Sequence, residues 1–276
     1  DSKSRARHLA KRVIEEVERL EAKYSRYRED SLLSDINRMA QLGGAMRVDP
    51  ETAGLLDYVA TCWQQSQGLF DVTSGVLRKA WQFKEEVLPE PDAIQRLLDH
   101  VGWNRLLWQN PEISFPEVGL ELDFGGAVKE YAVDRVAALC WDSGIRHGLI
   151  NLGGDIKVIG PHPAGQPWAI GIRHPRDPEG IARTVYLKRG AMASSGDYER
   201  CVVVNNKRYG HLLNPKTGWP VSKLASVSVI AEFCVVAGSA STIAMLMEDS
   251  GILWLNSLGV PHFWIDVDGR EGGSLI

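Results

Sequence analysis

The sequence predicts an α+β protein, because helix-like and strand-like segments occupy different parts of the chain. Apolar residues recur at helical spacing in the first half, up to about residue 143. Beyond it, short runs rich in Val, Ile and aromatic residues alternate with Gly, Pro, Asn and Asp. No long linker or low-complexity stretch interrupts the chain, so we expect residues 1–276 to form a single domain.

Four segments of the first half are predicted to form helices. The first carries Leu9, Val13 and Leu20 on one face, the third begins after Pro91, and the fourth is followed by Gly144, a typical residue after a helix C-terminus. These helices span residues 6–24, 55–67, 92–100 and 129–143.

The predicted strands are rich in residues that favour a pleated, half-buried surface. Most of them lie after residue 143, and a further short apolar strand is expected to end at Asp123. The strands after residue 143 span residues 147–156, 168–173, 184–189, 201–205, 226–231, 254–255 and 261–266.

The composition is typical of a soluble enzyme. With 276 residues, 44% of them hydrophobic, the chain can bury a large core, and its net charge of -4 gives no general attraction to nucleic acid. No apolar run is long enough to cross a membrane, and no signal peptide is expected at the start. The cysteines form no CxxC pair and are predicted to be buried free thiols: Cys62, Cys140, Cys201 and Cys234.

Residues 122–134, LDFGGAVKEYAVD, form a predicted corner between the short strand and a helix. Gly125 and Gly126 let the backbone approach a ligand closely, and Lys129 follows in the first helical turn, where free N–H groups favour anions. Asp123 places an acid beside them. The segment suits a phosphate, although a glycine pair before a helix is also common turn chemistry.

Further polar, glycine-bearing segments occur along the chain. They are YSRYREDSLLSDIN (24–37), GLFDVTSG (68–75), INLGGDI (150–156), SSGDYER (194–200), HLLNPKTGWPVS (211–222) and ASVSVIAEFCVVAGSASTIAML (225–246). In this order and at these separations, together with the corner, they resemble the ApbE family of FAD:protein FMN transferases over about residues 13–255.

The resemblance implies a T-fold-like domain of antiparallel sheet and packed helices. It also implies a transferase that moves FMN from FAD onto a serine or threonine of an acceptor flavoprotein, releases AMP and uses Mg²⁺ between the phosphates. By family habit the protein is expected to be periplasmic, or membrane-anchored on the periplasmic side. The family's N-terminal strand, with its Met-Gly-Thr motif, is expected to be absent from this chain.

The resemblance assigns FAD contacts throughout these motifs. For Tyr27 the alternative is a surface tyrosine that packs on its own helix, and for Asp71 it is capping of the following turn through Thr73 and Ser74. The residues that match FAD contacts are Tyr27, Leu69, Phe70, Asp71, Asp123, Lys129, Ser195, Gly196, Asp197 and Leu213.

His211 is the candidate catalytic residue. It resembles the family histidine before an Asp-Pro-x-Thr-Gly turn, and a neutral imidazole can take the proton from an acceptor hydroxyl. The alternative is a structural histidine that bonds a backbone carbonyl. Asn214 replaces the usual acid of that turn.

The metal site departs from the family pattern at two positions. Resemblance makes the Gly126 carbonyl, Ser241 and Thr242 candidate magnesium ligands, but Gly238 stands where the family has a metal-binding aspartate. Glu130 replaces the glycine usual after the family lysine, and its carboxylate must point away from the phosphates or reach the metal.

The missing aspartate leaves two alternatives to a transferase: a family member that binds FAD without transferring FMN, and an FAD pyrophosphatase. An aspartate at position 238 is expected to tighten magnesium binding, provided that its side chain fits.

Overall fold

Helices dominate the first part of the chain, as the periodicity predicts. The computed structural model describes residues 2–83 and 87–275. The helices are α1 (Ser2–Tyr24), α2 (Leu32–Leu42), α3 (Pro50–Gln65), α4 (Pro91–Leu98), α5 (Val128–Asp142), α6 (Cys234–Met247) and α7 (Asp249–Leu258), with 3₁₀ turns at Val72–Lys79 and Trp103–Arg105. All four predicted helices are confirmed. Helix α3 starts earlier than predicted, because the Asp49 side chain caps it just before Pro50.

The strands form antiparallel sheets. They are β1 (Gly44–Arg47), β2 (Leu107–Gln109), β3 (Glu112–Phe115), β4 (Gly148–Leu152), β5 (Asp155–Gly160), β6 (Trp168–His174), β7 (Asp177–Leu187), β8 (Gly190–Gly196), β9 (Cys201–Val204), β10 (Lys207–Gly210), β11 (Leu224–Ala231), β12 (His262–Asp266) and β13 (Glu271–Gly273). The largest sheet has the order β13-β12-β11-β8-β5-β4. Smaller ones are β1-β3-β2, β9-β10 and β6-β7.

The six-stranded sheet is covered on both faces. Helix α6 packs on β8 and β11, and α5 packs on β5 and α6. On the other face, Met192 of β8 joins Ile170 and Val185 of the β6–β7 hairpin in one apolar cluster. Because successive side chains of a strand point to opposite faces of the sheet, Ala191, Ala193 and Ser195 of β8 face α6. The predicted α+β class, with antiparallel sheet and packed helices, is confirmed.

The structure corrects three predicted strands. Residues 147–156 fall in two strands, β4 and β5, joined by a turn in which Gly153 and Gly154 have φ of 63° and 97°. Residues 254–255 lie in α7, so the strand predicted there is wrong. Residues 119–124 have no regular secondary structure, and the Asp123 N–H donates to the Val72 carbonyl at 2.8 Å.

Helix α6 is the largest element that the sequence did not predict. Its residues are small or apolar on every side, and Gly238, Ser239 and Ser241 are buried together with its apolar residues. Because no face is polar, the helical period is absent from its hydrophobic pattern.

Three of the four cysteines are buried, as predicted, and Cys201 is half-buried; all are free. Within residues 2–83 and 87–275, no helix is both long and apolar enough to span a membrane.

Helices α1 and α3 are joined by an ion-pair network that predicts a loss of stability in acid. Arg19 donates to both carboxylate oxygens of Glu51, at 2.7 and 2.8 Å, and Lys23 donates to the same group at 2.8 Å. Hydrogen bonds from Arg19 outweigh the effect of burial and lower the pKa of Glu51 to about 2. The pKa is lower in the folded state, so the stabilisation is complete above the unfolded pKa of about 4.5 and is lost as the pH falls toward 2.

We expect Glu51→Gln to reduce the free energy of unfolding near neutral pH by on the order of 2 kcal/mol, and to flatten the fall of stability between pH 4.5 and 2. Urea unfolding at several pH values measures both effects. The exposed Glu15, which pairs with Lys11 at 3.5 Å, provides the control variant Glu15→Gln. Parallel acid profiles for parent and Glu51→Gln would contradict the role of Glu51.

Candidate functional site

The predicted corner lies at the N-terminus of α5. The Gly125 N–H donates to Asp123 Oδ1 at 2.9 Å, and no side chain caps the helix at Ala127. The 3₁₀ turn packs closely on this loop, since a Cβ at Gly75 would lie only 2.5 Å from the Cβ of Asp123. The 3₁₀ turn thus fixes the position of the corner, and the uncapped N-terminus of α5 can still bind an anion.

Lys129 points from this helix N-terminus to a buried acid. Its Nζ lies 2.7 Å from Asp155 Oδ2 and 3.9 Å from Glu130 Oε1. Burial lowers the pKa of Lys129, but the two carboxylates outweigh it and raise the pKa above its usual value. The lysine is therefore a cation at neutral pH. Asp155 belongs to the INLGGDI motif, but the sequence does not single it out as a site residue.

Glu130 is buried beside this ion pair. Its side chain is 10% exposed, and its Oε2 has no hydrogen-bond partner among the described residues. Burial and the neighbouring Asp155 raise the pKa of Glu130 above its usual range. A buried carboxylate oxygen without a partner is uncommon, because its desolvation is not offset.

Three hydroxyl groups meet where β8 faces α6. Ser195 Oγ lies 2.8 Å from Ser241 Oγ and 2.9 Å from Thr242 Oγ1. Ser241 also donates to the Gly238 carbonyl at 2.9 Å. The structure thus brings together residues that the sequence predicted from two separate motifs. We refer to Glu130, Asp155, Ser195, Ser241 and Thr242 as the oxygen cluster.

Gly238 contacts Glu130 directly. A Cβ at position 238 would lie 2.5 Å from Glu130 Cγ and 3.0 Å from its Cδ. The helix backbone accepts other residues here, but Glu130 fills the space of a side chain. An aspartate at 238 therefore fits only if the Glu130 side chain moves, and the expected tightening of metal binding by that single change depends on this movement.

Tyr27 presents its ring to solvent beside two arginines. The residue is 77% exposed, and Arg26 both forms an ion pair with Asp123 and donates to the Tyr27 hydroxyl at 2.7 Å. The hydrogen bond from Arg26 lowers the pKa of Tyr27, and Arg200 adds to the effect. The exposed ring is available to stack on a flat heterocycle. Arg26 was missed from the sequence, where it is one of several charged residues near Tyr27.

His211 lies within electrostatic range of Lys129, whose positive charge helps to lower the pKa of the imidazole. Its Nδ1 is buried without a hydrogen-bond partner among the described residues. Burial lowers its pKa, and the positive charges of Arg200 and Lys129 lower it further. The imidazole is therefore neutral at pH 7 and able to accept a proton.

The loop after His211 is built by Asn214. Its side chain accepts from the Lys216 N–H at 2.9 Å, and its carbonyl accepts from the Gly218 N–H at 2.7 Å. Asn214 therefore shapes the turn without a charge. Leu213 forms a bridge with Pro220 at the base of the loop.

Two carboxylates predicted to bind FAD are fully engaged within the protein. Asp71 is buried and caps the 3₁₀ turn through Thr73, and Asp197 accepts from both terminal nitrogens of Arg176 at 2.6 and 2.8 Å. The capping alternative thus describes the observed contacts of Asp71. Binding of FAD by these two residues stays a prediction.

The remaining predicted residues line the boundary between the corner and the sheet. Phe70 is buried, and its ring would contact a Cβ at Gly126 at 3.4 Å. Leu69 packs with Leu212 in the apolar cluster under α6. Gly196 leaves no room for a side chain, since its Cβ would lie 2.2 Å from the Tyr198 ring.

Comparison with known proteins agrees with this arrangement. The profile of the ApbE family matches residues 2–264. A protein of Haemophilus influenzae named FAD:protein FMN transferase is 29% identical over 88% of this chain and 75% of its own length, and one of Chlamydia pneumoniae is 29% identical over 87% and 76%.

Solved structures agree as well. The ApbE protein of Thermotoga maritima superposes with a TM-score of 0.89 at 31% identity, covering 97% of this chain and 89% of that one. The flavin transferase ApbE of Vibrio cholerae gives a TM-score of 0.81 at 28% identity, over 99% and 89%. The chain belongs to the ApbE family.

Proposed function

We propose that this protein is an FAD:protein FMN transferase, which moves FMN from FAD onto a serine or threonine of an acceptor flavoprotein and releases AMP. The observation that carries the proposal is the position of Lys129 beside Asp155 and Glu130 at the uncapped N-terminus of α5, with the neutral His211 within electrostatic range of Lys129. The family relatives named for this activity support it.

The reaction replaces one phosphorus–oxygen bond by another. The acceptor hydroxyl attacks the FMN phosphorus, and the bond to the AMP phosphate breaks. His211, neutral at pH 7, takes the proton of the hydroxyl, while Lys129 and the free N–H groups of α5 bind the phosphates. These groups supply alignment and charge stabilisation, which are the main needs of phosphoryl transfer.

The residues present also fit a magnesium ion. The Gly126 carbonyl and the hydroxyls of Ser241 and Thr242 are oxygen ligands of the kind that Mg²⁺ prefers, and Glu130, which has an unpartnered oxygen, packs against Gly238 in the turn of α6 before Ser241 and Thr242. Within the described residues no three His, Cys, Asp or Glu side chains form a metal cluster, so such a site would depend on these hydroxyls and carbonyls. Bound Mg²⁺ would offset the negative charge of the pyrophosphate.

The test is an incubation of the purified protein with FAD, Mg²⁺ and an acceptor protein of the Vibrio cholerae flavin transferase. We expect covalent flavin fluorescence on the acceptor in denaturing gels, with an equal amount of AMP by chromatography. AMP without a labelled acceptor would indicate a pyrophosphatase. Bound FAD with neither product would indicate a binding protein, and either result would refute the proposal.

Lys129→Ala is expected to weaken FAD binding by about 1–3 kcal/mol, or roughly 5- to 150-fold, because a charged hydrogen bond to phosphate is lost. Flavin fluorescence titration measures the affinity. The variant also leaves Asp155 buried without its ion pair, so the titration is made well below the melting temperature of each protein. Lys11→Ala, at an exposed lysine of α1, is the charge-matched control. Equal FAD affinity in parent and Lys129→Ala would remove Lys129 from the site.

A further inference from the structure

We propose that Glu130 supplies the anionic ligand for the divalent cation, so that the carboxylate of this site comes from α5 and not from position 238 of α6. The inference rests on the proposed function, and it assigns a role to a residue at which the sequence departs from the family pattern.

Glu130 and the side chain of residue 238 compete for the same space. Glu130 Cγ and Cδ occupy the space that the side chain of residue 238 would need, at 2.5 and 3.0 Å from its Cβ. An aspartate at 238 therefore requires the Glu130 side chain to leave its present position. With glycine at 238, the carboxylate at this contact comes from α5, the helix that faces α6.

One carboxylate oxygen of Glu130 is buried without a hydrogen-bond partner among the described residues. Glu130 is only 7% exposed, and its Oε2 accepts no hydrogen bond from any described residue. Lys129 does not satisfy it, because Nζ lies 2.7 Å from Asp155 but 3.9 Å from the other oxygen of Glu130. A buried carboxylate oxygen in a polar site is costly unless a cation or a donor binds it.

Further oxygen atoms lie along α6 next to the position that Glu130 contacts. Gly238, which Glu130 touches, accepts from Ser241 through its carbonyl, and Ser241 in turn meets Ser195. The carboxylate thus lies against the turn of α6 that leads to Ser241 and Thr242, whose hydroxyl oxygens suit a hard cation. The charges agree as well, since within residues 2–83 and 87–275 Lys129 is the one cation that pairs with Asp155 and Glu130. A divalent cation would favour the deprotonated carboxylate of Glu130 and offset its charge.

The test compares Mn²⁺ and Mg²⁺ binding, by calorimetry with FAD present, in the parent, Glu130→Gln, Gly238→Asp and the double variant E130G/G238D. We expect Glu130→Gln, which keeps the shape of the side chain, to weaken cation binding at least tenfold. Gly238→Asp alone should lower the melting temperature and bind the cation no more tightly. The double variant, which places the carboxylate on α6, should regain the parent affinity to within about threefold, a coupling that the two single changes do not predict.

Asp134→Asn is the matched control. Asp134 lies one turn further along α5, and its oxygens accept from the Cys234 and Val235 N–H groups at 2.9 Å. Its replacement should leave cation affinity unchanged. Parent-like cation affinity in Glu130→Gln, or a folded double variant that binds as weakly as Glu130→Gln, would overturn the inference.

Cation binding and FMN transfer are measured in separate experiments, so each proposal can be refuted without the other. If the parent binds the cation through Glu130 but labels no acceptor, the proposed transferase activity is refuted and the assignment of Glu130 as a cation ligand stands. If the parent labels the acceptor but Glu130→Gln binds the cation as tightly as the parent, the assignment of Glu130 as a ligand is refuted and the proposed transferase activity stands.

Discussion

Replacing His211 by alanine should lower the rate of FMN transfer about a hundredfold or more and leave FAD affinity within about twofold. A hundredfold loss corresponds to about 2.7 kcal/mol of transition-state stabilisation, the usual size for a lost general base. The reason is the state of the imidazole, which is neutral because burial and neighbouring cations lower its pKa. Single-turnover rates at saturating FAD and acceptor measure the effect.

The control separates catalysis from a structural role. His147 Nδ1 donates a hydrogen bond to the Pro161 carbonyl at 2.9 Å, the kind of contact that a structural histidine makes. His147→Ala should leave the transfer rate unchanged. An unchanged transfer rate in His211→Ala would exclude His211 as the base.

The pH dependence of the FMN transfer rate gives a second test of His211 as the general base. A base with a lowered pKa stays neutral to a lower pH, so the rate of the parent should begin to fall only below the ordinary histidine pKa of about 6.5. His211→Ala should lose this acid limb. A limb that persists unchanged in the variant would assign the titration to another group.

The sequence predicted the fold class and most of the elements because their periodicity is strong. Helices α1 and α4 have one polar and one apolar face, and α5 ends just before Gly144; the bounds of all three agree with the prediction to within a few residues. Helix α6 was missed because its residues are small or apolar on every side, so its sequence shows no alternation between polar and apolar faces. The turn at Gly153 and Gly154 was missed because the apolar residues on its two sides read as one run.

Site residues were predicted from motifs, but their contacts were not. Ser195 and Ser241 belong to distant segments, and only the packing of α6 on β8 brings their hydroxyls to 2.8 Å. The steric conflict between Glu130 and a side chain at position 238 cannot be predicted from the sequence for the same reason, because α5 and α6 are distant in the chain. Asp155 was missed because an acid after a glycine pair is usually a turn residue, whereas here it is buried and paired with Lys129.

Asp71→Ala should destabilise the protein by about 3–5 kcal/mol, since removal of one buried carboxylate leaves several donors without an acceptor. Asp71 accepts from the Thr73 N–H at 2.8 Å and its hydroxyl at 2.6 Å, from the Trp103 N–H at 2.9 Å and from the Trp63 indole at 3.1 Å. These bonds tie α3, the 3₁₀ turn and the segment before β2 together. Urea unfolding, followed by tryptophan fluorescence and circular dichroism, measures the change.

Asp57 provides the comparison that decides between capping and cofactor binding. It also accepts from a tryptophan indole, that of Trp108 at 2.6 Å, but in an exposed contact, so Asp57→Ala should cost less than about 1 kcal/mol. If Asp71 only caps the 3₁₀ turn, the Asp71→Ala variant is less stable than the parent. At low temperature, where most of the variant is folded, its FAD affinity is then close to that of the parent. Parent-like stability with FAD affinity reduced tenfold or more would instead make Asp71 a direct FAD ligand, because a cap cannot be removed without weakening the turn that it holds.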